Sequence, residues 1–182
     1  DGWRGVSERF KHIEVQHNYS QLYEIIASVI QKDSKFFSDF FNRNLSVFQE
    51  IEGAFANESM FSELNEEEFK TKIIYGCYPL HPVTTFILPR LSEKIAQNER
   101  TLFTFLSAPH KYTLSAYIET IGCDFPIVTP DYLYDYFEPL FKQEVYTSDI
   151  HKTYTLASTI LAKLEPDSLE SKIIKTIALI HI

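Results

Sequence analysis

From Leu22 onward, apolar side chains recur three and four positions apart almost to the end of the chain, the spacing that lines one face of a helix with core-facing groups. Leu22, Ile25, Ile26, Val29 and Ile30 form one such stripe. Phe36, Phe37, Phe40, Phe41, Leu45, Phe48 and Ile51 form the next. A chain patterned this way buries its apolar groups by packing helix on helix, so an all-α, irregular bundle of about seven to nine helices is expected. The one alternating stretch, Lys11-His12-Ile13-Glu14-Val15-Gln16, has the period of a half-buried strand. It has no partner in the chain, and is expected to be left over from a sheet that precedes Asp1.

Local signals divide the stripes into elements. Ser20 is placed to cap the first helix, and Asp33-Ser34 to restart or bend it, with Gly53 as the C-cap of the Phe-rich helix. Asn65-Glu66-Glu67-Glu68 reads as a capping box, its acids set at the positive end of the helix dipole, and opens a short helix to about Ile74. Pro82 suits a first helical turn, whereas Pro89 predicts a kink or break near Leu88. Further on, Asn98, Thr129-Pro130-Asp131 and Ser148 or Asp149 mark helix starts. Pro139 is expected to bend the helix after Thr129, and Pro166 to start or precede the last one. The stripe Tyr154, Leu156, Ala157, Ile160, Leu161 and Leu164 is expected to face the core.

Composition narrows the chemistry. The 182 residues include 15 Phe and 11 Tyr but only 5 Gly. Glycine is what lets backbone approach a phosphate closely, and no Gly-Lys-Ser/Thr loop occurs. His-Glu-x-x-His and Gly-x-Ser-x-Gly strings are also absent, which removes the usual sequence marks of a zinc hydrolase and of a nucleophile elbow. Cys77 and Cys123 are too few for a disulfide framework or a four-ligand zinc site, and read as small buried hydrophobes. The net charge of -8 disfavours a principal role in gripping nucleic acid. With no apolar run of spanning length and no signal peptide, the cytoplasm is the default compartment. The start at Asp1 without Met and the apolar Ile173–Ile182 end are those expected of a piece cut from a longer protein.

Two residues stand out. Arg100 falls in the first turn of the helix that Asn98 would cap, an address the helix dipole opposes for a cation. It therefore calls for an external anion, or for a carboxylate such as Glu93 or Glu99. His81, between Leu80 and Pro82, has two readings as well: an imidazole that hydrogen-bonds a phosphate or a neighbouring subunit, or a cap for the helix that Pro82 begins.

The order Tyr78-Pro79-Leu80-His81-Pro82, then Leu88-Pro89-Arg90-Leu91, then Gln97-Asn98-Glu99-Arg100-Thr101-Leu102-Phe103-Thr104-Phe105-Leu106 resembles a segment of large bacterial P-loop ATPases of the AAA/STAND type, several of them linked to phage defence. The similarity spans about positions 75 to 107, and Arg9-Phe10 is similar to the end of that family's nucleotide-binding core. The resemblance implies three parts: 1–19 closing the core, 20–107 a helical lid, and 108–182 a second helical subdomain truncated at its C-terminal end. It implies that Asn98 and Arg100 occupy a sensor-2-like motif in which the arginine reaches the nucleotide's phosphates, with Arg9 and Arg90 as further candidates for phosphate or intersubunit contacts. His81 and Tyr78 would serve a partner or the fold. ATP and magnesium would bind the full-length protein but not this fragment alone. The lid would act on the rest of its own polypeptide, on other copies or on a protein effector, without catalysis of its own. The competing expectation is a helical protein-interaction module with no nucleotide role.

Overall fold

The computed structural model describes residues 18–55, 59–96, 100–120, 125–145 and 148–182. These form an all-α bundle. Its helices are α1 (Tyr19–Val29), α2 (Ser34–Arg43), α3 (Leu45–Phe55), α4 (Glu66–Glu68), α5 (Pro82–Ala96), α6 (Arg100–Ser107), α7 (Leu114–Thr120), α8 (Pro130–Gln143), α9 (Asp149–Leu161) and α10 (Leu169–His181). A 3-10 turn at Ser59–Phe61 follows α3, and α4 runs directly into a π-helical segment, Phe69–Gly76. Ten α-helices among the described residues exceed the expected count, because the Phe-rich stripe is split and α7 had no signal of its own. The strand expected at 11–16 lies outside the described residues.

The capping signals account for most helix starts. Asp33 accepts from the Phe36 amide at 2.8 Å, and Ser148 from the His151 amide at 3.1 Å. The Asn65 and Glu68 side chains bond each other's backbone amides at 2.9 and 3.1 Å, a reciprocal capping box. Pro130 is the first residue of α8, and its neighbour Thr129 donates to the Asp131 carboxylate. The last helix starts after Pro166, with Ser168 as its cap.

Four expectations are corrected. Asn18, not Ser20, caps α1, since its Oδ1 accepts from the Ser20 amide at 3.1 Å. The Phe-rich stripe breaks at Asn44, whose side-chain amide donates to the Phe40 carbonyl at 2.9 Å and ends α2. Gly53 lies inside α3 rather than capping it. Helix α5 runs unbroken through Pro89. Proline removes one ladder bond, the one to Thr85 O; one residue on, Arg90 Nη1 donates to Phe86 O at 2.8 Å.

The core has an aromatic cluster and a mixed cluster of leucine and phenylalanine. Phe40, Phe48, Tyr78 and Phe125 form a nest of rings with centroids 5.2 to 6.2 Å apart. Across the bundle, Leu88, Leu102, Phe105, Leu133, Phe137 and Phe141 are buried where α5, α6 and α8 meet. Helix α10 packs on α8 and α9, and Lys175 ties it to Asp135 of α8 at 2.7 Å. Among the described residues the only β-type pairing is a parallel bridge between Leu80 and Val128. There Val128 N donates to Pro79 O at 2.8 Å and His81 N to Val128 O at 3.0 Å.

Candidate functional site

The stretch from Cys77 to Arg100 holds most of the residues singled out above, and the fold treats them very differently. Cys77 is fully buried, and its thiol donates to the Tyr23 carbonyl at 3.6 Å. Burial pushes that thiol up to about 12, so it is a packed hydrophobe rather than a nucleophile. Cys123 lies outside the described residues. Tyr78 contributes its ring to the aromatic nest, 5.4 Å from both Phe40 and Phe48. Its position is that of a core residue.

His81 caps α5. The Thr85 amide donates to His81 O at 2.9 Å, the first bond of the helix, and Val83 N donates to His81 Nδ1 at 3.2 Å. The imidazole packs edge-on to Phe55 with centroids 5.9 Å apart. Burial alone lowers its pKa below the ordinary imidazole value, so the ring is neutral near pH 7. Of the two readings of this residue, the cap is the one with a hydrogen bond behind it.

Arg90 is enclosed. Its guanidinium lies 3.9 Å from the Tyr19 ring centroid and 3.5 Å from that of Phe86. Nη1 donates to Tyr23 Oη at 2.7 Å, and Nη2 sits 3.7 Å from Glu63. A planar cation held between two aromatic faces, with its edge bonded to a phenol and a carbonyl, has most of its donors engaged inside the bundle. The arrangement pins α1 to α5, and Tyr19 Oη extends it by donating to Glu93 at 3.0 Å. Sequence reasoning singled out Arg90 but not Tyr19, Tyr23 or Glu63, which complete its cage from distant parts of the chain.

Arg100 is the first residue of α6, and its side chain is exposed. The helix behind it is firmly seated. Leu102, Phe105 and Leu106 are buried, Tyr136 of α8 donates to Thr101 O at 3.1 Å, and Thr104 Oγ1 donates to Arg100 O at 2.8 Å. The cation thus projects from the positive end of a short, anchored helix. Asn98 and Arg9, the other residues assigned to phosphate contact, lie outside the described residues.

A second feature was misjudged from the stripe pattern. Leu156 and Ile160 of α9, expected in the core, are exposed, as are Leu169, Ile173, Ile177 and Ile180 of α10. Shallow grooves of about 290 and 320 Å³ run on either side of Ile177. Among the described residues no group of three or more His, Cys, Asp or Glu side chains is disposed to hold a metal ion. Among them, too, no helix is long and apolar enough to cross a membrane. No protein-family model, curated protein or solved structure matches this chain.

Proposed function

We propose that the chain is a helical lid of a cytoplasmic, P-loop-type ATP-binding protein, coupling the state of a bound nucleotide to a partner or effector without catalysis of its own. The observation that carries this reading is Arg100, an exposed cation at the N-terminus of an α6 whose other side is buried. An arginine so mounted suits charge that develops on a phosphoryl group, and loses its contact when the phosphate leaves. On this reading ATP and magnesium are not held by the chain itself, whose sequence has no Gly-Lys-Ser/Thr loop. Both would be held by the nucleotide-binding core to which the lid is joined.

The test is ATP turnover by the protein joined to that core. Arg100→Ala lowers turnover by at least roughly tenfold, a threshold set well below the roughly 10³-fold that an arginine finger contributes, while far-UV circular dichroism and thermal midpoint stay unchanged. Unchanged turnover refutes the assignment. A second reading, a protein-interaction module with no nucleotide role, is favoured by the exposed apolar row on α9 and α10. That reading holds if Arg100→Ala is silent while Ile173→Asp abolishes effector action.

A further inference from the structure

His81 stands where three parts of the chain meet. Its Nδ1 receives the Val83 amide, its own amide is bonded to Val128 O, and its ring lies against Phe55 of α3. The next turn is tied to the same point, because Thr84 Oγ1 donates to Val128 O at 2.7 Å. One carbonyl, that of Val128, therefore accepts from two successive positions at the start of α5. Cap and bridge share a few residues, so one cannot loosen without the other.

The cap depends on a lone pair. As long as Nδ1 accepts from Val83 N, the ring's single proton is on Nε2. A second proton, taken from solvent, goes to Nδ1, the only unprotonated ring nitrogen. Nδ1 then becomes a donor facing another donor. The new charge is also half-buried and lies at the positive end of the α5 dipole, two further penalties. No neighbouring charge offsets them. Phe55 faces the ring from α3, where the nearest acid on that helix, Glu52, is paired with Lys70 at 3.5 Å. From the segment before α8 the facing group is the Val128 carbonyl, and Asp131 one turn on is bonded by Thr129. No ion pair among the described residues involves His81, and burial lowers its proton affinity.

We propose that His81 is an acid-operated latch: neutral, it caps α5 and holds the Val128 bridge; protonated at Nδ1, it releases the first turn of α5 and the bridge together. The latch is independent of any nucleotide role and is tested without one.

Imidazole nitrogen NMR on the intact chain reads the tautomer directly, and amide hydrogen exchange, corrected for intrinsic rates, reads the joint. At neutral pH Nδ1 is unprotonated. As the pH falls below about 6.5, the ordinary imidazole value, toward the lowered value of the capped ring, protection at Val83, Thr85 and Val128 falls ahead of protection in α10. His81→Asn supplies a carbonyl acceptor that does not titrate, and removes the selective loss. A proton on Nδ1 at neutral pH overturns the proposal, as does a parallel loss of protection in the wild type and in His81→Asn. The tautomer measurement decides the matter even if the variant does not fold.

Discussion

Phe36 and Phe48 belong to one apolar stripe in the sequence, yet one is 67% exposed and the other 2%. Replacing each by alanine separates a pattern from a core. The Phe48 ring contacts those of Phe40, Phe41, Tyr75, Tyr78 and Phe125, at centroid distances from 4.9 to 6.2 Å. A buried phenyl side chain of about 150 Å², at about 25 cal/mol per Å², contributes ~4 kcal/mol. This agrees with the usual cost of removing such a ring from a packed interior. Phe36, with about a third of the same surface covered, contributes ~1 kcal/mol on the same scale. Because a domain's total stability is only about 5 to 15 kcal/mol, Phe48→Ala lowers the thermal midpoint by roughly 8 to 16 °C at this chain length. Urea unfolding followed by circular dichroism gives both free energies, with the denaturant slope as a check that the unfolded state is unchanged. Phe48→Leu recovers part of the loss, since it restores volume without the ring edges. A cost below about 1 kcal/mol for Phe48→Ala, or equal costs for the two positions, would refute the packing argument.

Removing the guanidinium in Arg90→Ala takes a hydrogen-bond partner from Tyr23 Oη and from Phe86 O and opens a gap beside the Tyr19 and Phe86 rings; a loss of ~2 kcal/mol in urea titration is expected, only partly restored by lysine. In Gly76→Ala the added Cβ meets Ala27 Cβ at 2.9 Å and Thr71 O at 3.0 Å, so the variant melts lower than the wild type, whereas Gly53→Ala, with open space around it, melts higher because alanine favours helix. The Cys77 thiol reacts with an aromatic disulfide reagent no faster than the chain unfolds, because burial holds it protonated; immediate labelling in native buffer would contradict this.

How much of this could be read in advance depends on the distance over which each feature is specified. The capping box at Asn65, the cap at Asp33 and the proline start of α8 are written in three or four adjacent residues, and each forms as expected. The break at Asn44 was hidden, because a side-chain amide folding back on the Phe40 carbonyl competes with a helix that the apolar spacing would have continued. Of the kink or break expected near Leu88, the break does not occur, since α5 continues through Pro89. At the candidate site, the odd address of Arg100 was visible from its position alone. The cage around Arg90 was not, since its walls come from Tyr19, Tyr23 and Glu63, and no local pattern joins them. Leu156 and Ile160 follow helical spacing faithfully, but spacing says which residues share a face and not whether anything lies against it.

The Val128 bridge also has a bearing on the order of assembly. Some helices pack against their neighbours in sequence, as α5 with α6 and α9 with α10, contacts that close quickly, while others, as α5 with α8 and α8 with α10, pack across intervening elements. The contact from Thr84 to Val128 spans 44 positions, and those from Arg90 to Tyr23 and Glu93 to Tyr19 span 67 and 74. All three converge on α5 or its first turn. Helix α5 is thus the element on which the slow, long-loop closures wait: a ribosome must release the chain past Glu93 before α1 can settle against it, and past Val128 before the bridge can form.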